Sequence, residues 1–320
     1  MAVHGVIGSG PLGRATAREL SARGLQVRLV SRNPRPEAAL ETVRADATDV
    51  ASLVEALEGV SVVYHCANAP YHRWTQDLPP IWRGIHSAAR SVGARLVIAN
   101  NLYSYGEPDG PFTESTAFLP CSRKGKVRAM LEREALELHT QGELQLSLVR
   151  ASDFYGPEVL ESQLGDRFFG PLTKGKPAKM VGVRGALHSY TYIADVARTL
   201  AEVGSRDDSW GRTWLAPTAD PASGDDLEAI LRGSGMRGSK NATIQFAGKG
   251  FLRFGGLFVP AARELIEMFY EFDRDFTVDS SGTEKQLGIA PTPLDRGLTQ
   301  TLEWYQTRSS SAAIPVTMRQ

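Results

Sequence analysis

The sequence predicts an α/β protein, a doubly wound parallel sheet followed by a smaller C-terminal lobe. Three observations carry this. Strand and helix signals alternate through the first half of the 320 residues, which is the pattern of stacked βαβ units. A glycine turn, Gly8-x-Gly10-x-x-Gly13, joins an apolar strand to a helix, and three glycines so placed permit a tight turn, a close backbone approach and close helix–strand packing. Beyond residue 150 the texture changes, and residues 156–188 are rich in Gly, Pro and Lys with few periodic runs.

The elements follow in order. Residues 3–7 are a strand and 11–23 a helix. Pro11 suits the first helical turn, where its missing N–H costs nothing, and Gly24 ends the helix. Residues 26–31 form the second strand and 42–45 a short third. Asp49 is placed to cap a helix over 50–57. Gly59 leads into a strand over 61–65, a helix over 81–92 precedes a strand over 95–99, and 124–140 is a long helix with Val127, Leu131, Ala135 and Leu138 at helical spacing. The sixth strand is 144–149. Later elements are a helix at 193–203, a strand at 212–216, and helices at 224–231, 260–270 and 293–305. The predicted division is a Rossmann domain over 1–155, rejoined by 188–217, with a lobe of 156–187 and 218–308 and a flexible tail of 309–320. Right-handed crossovers put a ligand at the carboxyl ends of the strands.

The glycine turn is a phosphate cradle. Free N–H groups at the start of the helix face an anion, so Gly8, Gly10, Pro11, Leu12 and Gly13 are cofactor-binding candidates. The end of the second strand selects the dinucleotide. An NAD site wants a carboxylate there, but the chain offers Ser31, Arg32 and Asn33, with Arg35 near. A guanidinium grips a 2′-phosphate bidentately, which predicts NADP(H).

Composition excludes several classes. Lys and Arg number 36, as do Asp and Glu, so no basic excess points to nucleic acid or an anionic membrane. Cys66 and Cys121 are the two cysteines, which indicates neither a disulfide framework nor a cysteine metal site. The six His are scattered without zinc-ligand spacing, and no Gly-x-Ser-x-Gly elbow is present. The first strand follows Met1 closely and no apolar run spans a bilayer. The expectation is a cytoplasmic protein with no metal, taking a small-molecule substrate.

The chain resembles the extended short-chain dehydrogenase/reductases, the epimerase/dehydratase type. The residues that carry this are 8–13, Arg32, 44–49, Tyr105-Gly106, 150–157, 192–197, Leu287-Gly288, Pro291-Thr292-Pro293 and Trp304. The resemblance implies that Asp46 and Ala47 lie by the adenine, that Ala67 lines the cofactor cleft, and that the chain after the sixth strand, with Ser152 and Phe154, passes the nicotinamide. It also implies a homodimer through helices at 81–92 and 124–140.

The chemical end departs from that family. Ile7 stands where a Gly is usual. Asn101 occupies the position of the catalytic Ser or Thr. The best match to Tyr-x-x-x-Lys is Ser122 to Lys126, so the Tyr is missing. A Ser hydroxyl is a poor acid/base without a strong base beside it. Asn101 could instead donate to a carbonyl oxygen, Tyr103 could be the relocated acid with Tyr105 as second choice, and Lys126 could hold the ribose or stabilise an oxyanion. Substrate-binding candidates are His65, Tyr71, His72 and Trp74 around the loop at 68–74, together with Tyr155 and His188. Asp153 is read as orienting a substrate group or pairing with Arg150, His4 as a core residue, and Glu264, Glu267 and Glu271 as a solvated helical face. The expected activity is NADP(H)-dependent reduction of a carbonyl or conjugated double bond. The alternatives are a non-catalytic NADP(H) redox sensor and an epimerase using the cofactor transiently.

Overall fold

A computed structural model describes residues 2–37, 40–236, 238–250 and 266–312. Its frame is a parallel sheet made from β1 (Val3–Ile7), β2 (Gln26–Ser31), β3 (Glu41–Arg44), β4 (Val60–His65), β5 (Arg95–Asn100), β6 (Leu146–Arg150) and β10 (Thr213–Leu215). Their order is β10-β6-β5-β4-β1-β2-β3. Every pair is parallel. The order reverses at β1 and β4, so the crevice for a ligand opens at the carboxyl ends of these two strands.

Helices cover both faces. α1 (Pro11–Ala22) and α6 (Ile193–Ser205) lie on one, where Val6, Leu29, Val97, Leu200 and Trp214 form a buried cluster. α2 (Val50–Ala56), α3 (Trp74–Ser91) and α4 (Arg123–Thr140) lie on the other, over Ile7, Val63, Leu96 and Leu148. The caps follow the sequence. Gly24 has φ +77 after α1, and the Asp49 side chain accepts from the N–H groups of Ala51 and Ser52. His4 is a core residue whose Nδ1 meets the Tyr64 hydroxyl at 3.0 Å.

α3 is longer than its periodicity predicts. Pro79 and Pro80 read as breakers, yet they lie inside the helix. Burial overrides them, because Trp74, Leu78, Trp82 and Ile85 at spacings of four, four and three all enter the core.

The remaining part holds β7 (Asp153–Tyr155) paired with β9 (Tyr190–Tyr192), and β8 (Ala178–Val181) paired with β11 (Ile244–Ala247). These strands of three or four residues are too short for a periodic signal. α5 (Asp166–Leu172), α7 (Gly224–Gly233), α8 (Ser281–Leu287) and α9 (Leu294–Ala312) enclose a second core of Phe168, Phe169, Leu227, Leu298 and Tyr305. The helix expected at 260–270 falls partly on 251–265, outside the described residues, and Phe269–Glu271 is a 3-10 turn. The expected tail is helical to Ala312, and 313–320 lie outside the described residues. No helix among the described residues is long and apolar enough to cross a membrane.

Candidate functional site

The glycine turn is built by steric necessity. Gly8 has φ +109, and a Cβ there would stand 2.7 Å from the backbone N of Ala67. A Cβ on Gly13 would stand 1.7 Å from the Gly8 carbonyl oxygen. Any side chain at either position would push strand, helix and the β4 loop apart. Gly10 is the opposite case, with no atom within 4 Å of its missing Cβ. It caps α1 without a side-chain hydrogen bond, with Pro11 next and no acidic residue in the first turn. The positive end of α1 therefore opens onto free space, as an anion site requires.

The adenine-side candidates gather at the ends of β2 and β3. The Ala45 N–H donates to the Ser31 carbonyl at 3.1 Å, which brings Ser31 beside Asp46. The Ser31 hydroxyl is buried with no partner, and Arg32 is exposed. The Asp46 carboxylate accepts from the Thr48 N–H at 2.9 Å and hydroxyl at 2.8 Å. These bonds, with Arg32 near, hold it below the usual carboxylate range. Gly84 of α3 packs on the Ala47 carbonyl, where a Cβ would clash at 2.1 Å. Leu12, Cys66 and Phe154 share one apolar cluster, and the Ser152 hydroxyl beside it is buried without a partner. An open cradle, two orphaned hydroxyls and an exposed guanidinium fit a nicotinamide dinucleotide.

The sequence reading missed Glu158. It sits at φ +70 after β7, and its carboxylate accepts from Arg14 Nε at 2.7 Å and Arg18 at 2.8 Å. It thus ties the chain leaving the sheet to the helix that carries the cradle.

The chemical end lies beyond β5 and is positioned by a buried network. Glu132 of α4 accepts from Asn100 and from the Ser104 hydroxyl, each at 2.6 Å, and pairs with Arg150. Arg150 also donates to Ser104 at 2.7 Å and stacks on Tyr105. Asp153 therefore does not pair with Arg150. It lies 3.4 Å from His188 Nε2. Gly125 lets the start of α4 press on the strand-end loop, because a Cβ there would meet the Tyr103 carbonyl oxygen at 2.4 Å.

This contact fixes which side chains α4 presents, and it corrects the expected register. Ser122 is the N-cap of α4, its hydroxyl accepting from the Gly125 N–H at 3.0 Å. Lys126 is exposed, so it is not the cleft lysine. Two residues turn a helix by about 200°, and the buried cations are Lys124 and Arg128, four apart on one face. Lys124 Nζ lies 4.5 Å over the Tyr71 ring and 2.9 Å from Glu267. Arg128 stacks over Trp74 at 4.3 Å and donates to Asn68 at 3.2 Å.

Tyr103 and Tyr71 meet with hydroxyls 3.4 Å apart. Burial, reinforced by the Glu271 carboxyl, holds both phenols well above their ordinary range. Tyr105 is pushed up to about 12 by burial and packs on Phe112. Asn101 accepts from the Tyr103 N–H at 3.2 Å, folding the turn after β5 and leaving its amide N–H groups for another acceptor.

Three substrate-binding candidates sit elsewhere than around the cationic pair. His65 is buried edge-on to Trp82, because β4 turns it toward α3. Tyr155 is buried in the second core with Tyr192. His72 points to solvent. Tyr71 and Trp74 do border the cationic pair. His188 is buried, its ring stacked on Phe276 and its Nδ1 3.1 Å from the Glu271 carbonyl oxygen. Glu267 and Glu271 are no solvated face. Glu267 binds Lys124, and the Glu271 carboxyl is buried and driven up by desolvation. Glu264 lies outside the described residues. Among the described residues no group of three His, Cys, Asp or Glu could hold a metal ion.

Known proteins share this fold. A family model, the NAD dependent epimerase/dehydratase family, matches residues 5–211. A dTDP-glucose 4,6-dehydratase of Streptomyces griseus is 25% identical over 228 residues, 71% of this chain but 63% of that protein, so less than two thirds of the relative is spanned. MoeE5 in complex with UDP-glucose and NAD superposes with a TM-score of 0.74 at 25% identity, covering 97% of this chain and 100% of that one. UDP-glucuronic acid 4-epimerase from Bacillus cereus, in complex with UDP-glucuronic acid and NAD, has a TM-score of 0.77 at 18% identity over 96% and 99% of the two chains, a likeness of fold.

Proposed function

Since the chain belongs to the NAD dependent epimerase/dehydratase family of extended short-chain dehydrogenase/reductases, a family of enzymes, we propose that it is an NADP(H)-dependent reductase of a carbonyl or conjugated double bond in a small organic substrate. Gly8, Gly10, Leu12 and Gly13 hold the pyrophosphate in this reading, Ser31 and Arg32 the 2′-phosphate, Asp46 and Ala47 the adenine, and Ala67, Ser152 and Phe154 the nicotinamide end. Bound and reduced, the dinucleotide supplies a hydride.

The observation that carries this reading is the pair of buried phenols, with hydroxyls 3.4 Å apart at the loop after β5. Starting from an alcohol requires a base, and a tyrosine serves only when its pKa is brought down toward neutrality. Here desolvation moves Tyr71 and Tyr103 the other way. Both therefore stay neutral and serve as hydrogen-bond donors to an oxygen that gains charge. Tyr103 holds the proton for the substrate oxygen, Tyr71 hydrogen-bonds to it from behind, and Asn101 donates to the same oxygen. Lys124, paired with Glu267, braces the Tyr71 ring through a cation–π contact at 4.5 Å. Tyr103 takes the place of the usual tyrosine, and the buried pair Lys124 and Arg128 stands two residues on from Ser122 and Lys126.

A panel of aldehydes, ketones and enones read by loss of NADPH absorbance tests this. Turnover that falls at least tenfold in Tyr103→Phe with unchanged NADPH affinity supports it, and equal turnover by the variant removes Tyr103 from the chemistry. A second reading, a sugar-nucleotide epimerase or dehydratase, draws support from the dTDP-glucose 4,6-dehydratase relative and from the complex of MoeE5 with UDP-glucose and NAD. It predicts conversion of a nucleoside-diphosphate sugar with no net change in cofactor.

A further inference from the structure

We propose that Arg128 anchors an anionic group of the substrate, so that this cleft takes carbonyl compounds bearing a carboxylate near the reacting carbon. The proposal deepens the reductase reading and rests on it for the word substrate. Arg128 is 4% exposed. Its guanidinium uses one hydrogen bond, to the neutral Asn68 amide oxygen, and its Nε is buried without a partner. Among the described residues it makes no ion pair. The carboxylate closest in influence is Glu132, already bound by Arg150, Ser104 and Asn100.

The contrast with Lys124 is informative. That cation sits one turn earlier on the same face and is neutralised by Glu267 at 2.9 Å. Among the described residues Arg128 has no such counter-charge and is flanked instead by Trp74, Tyr71 and Tyr103. Burial lowers its pKa to about 10, so it stays charged at neutral pH. A desolvated cation without an anion is costly, and a bound carboxylate offsets that cost while matching the planar fork in two bonds. In this reading the dinucleotide's phosphates belong to α1 and the end of β2, and α1 packs on the face of the sheet opposite α4. The anion that completes Arg128 therefore arrives with the substrate. The aromatic walls favour an acid with an aryl or alkyl body.

Benzoylformate and its methyl ester, reduced by the NADPH-loaded protein, form the test. The acid is expected to exceed the ester in kcat/KM by roughly 10- to 100-fold, the worth of charge-assisted hydrogen bonds. Arg128→Met should erase that preference, chiefly through a raised KM for the acid, with NADPH affinity kept. Arg128→Lys, which keeps charge but not the fork, should recover part of it. Equal use of acid and ester overturns the proposal. So does a variant whose loss falls on NADPH binding, which would make Arg128 a holder of the cofactor ribose. If neither compound is reduced, the reductase reading fails for them, and calorimetry on the NADP+-loaded protein still decides the anchor. Benzoylformate binding abolished by Arg128→Met supports it, and heat indifferent to the ester or the variant sinks it.

Discussion

Replacing Arg32 by Asp is the most direct probe of cofactor choice. Arg32 is exposed at the end of β2, beside the low-pKa Asp46 carboxylate. A guanidinium–phosphate contact there contributes about 1.5–3 kcal/mol as charge-assisted hydrogen bonds. Two unit charges about 4 Å apart in water add about 1 kcal/mol, and the substitution turns that attraction into repulsion. It also leaves two carboxylates facing a dianion. Exposure argues for the lower figures, so the loss for NADPH comes to about 3 kcal/mol, or roughly 100-fold in Kd. NADH has no 2′-phosphate, and an Asp there accepts from its ribose hydroxyl, so its affinity should hold or improve. Titration calorimetry of both reduced dinucleotides, at fixed low salt, reads the difference. Equal loss for the two would refute the assignment of Arg32 as selector, as would an unchanged NADPH affinity.

Three further outcomes are expected. Gly13→Ala puts a Cβ 1.7 Å from the Gly8 carbonyl oxygen, about half an ordinary contact, and should weaken both dinucleotides by more than roughly 100-fold in the same calorimetry; retained affinity would mean the turn is no cradle. Ser122→Ala removes the cap of α4 and should lower the urea-derived stability by about 1 kcal/mol while sparing turnover, whereas a collapse in rate at unchanged stability would give the hydroxyl a chemical part. His86 is buried edge-on to Trp82, and desolvation brings its pKa from 6.5 to about 4. The unfolded chain therefore binds the proton first, so this stabilisation is whole above pH 6.5 and disappears as pH falls to about 4. It amounts to about 3 kcal/mol. His86→Leu should narrow the stability gap between pH 7 and pH 4.5 by roughly 2–3 kcal/mol, and an unchanged gap would place the acid sensitivity elsewhere.

The sheet was legible because apolar periodicity and glycine punctuation survive in a single sequence. The cradle was legible because its glycines are dictated by backbone collisions that any such turn suffers. The chemical end was not, for reasons of register. Whether Ser122 or Lys124 opens the cleft face depends on where α4 begins, and a displacement of two residues sends a side chain to the opposite side. Glu267 and Glu271 have helical spacing, but the 3-10 turn at Phe269–Glu271 and the pull of Lys124 turn them inward. The burial of His65 was not legible because a strand end says nothing about which helix packs above it, and Trp82 lies far along the chain. Glu158 carries no motif at all. Its partners, Arg14 and Arg18, become neighbours only once the sheet is closed.

The paired prolines of α3 have a mechanical consequence. Neither ring nitrogen can donate, so the carbonyls of Thr75 and Gln76 lose the bonds that residues 79 and 80 would give. The first turn is then moored by side chains, chiefly the Trp74 indole on the Ala69 carbonyl at 3.0 Å and the Arg73–Asp77 pair. The wall that Arg128 leans on is thus hung on a few bolts instead of a continuous weld. Amide exchange should begin at that turn.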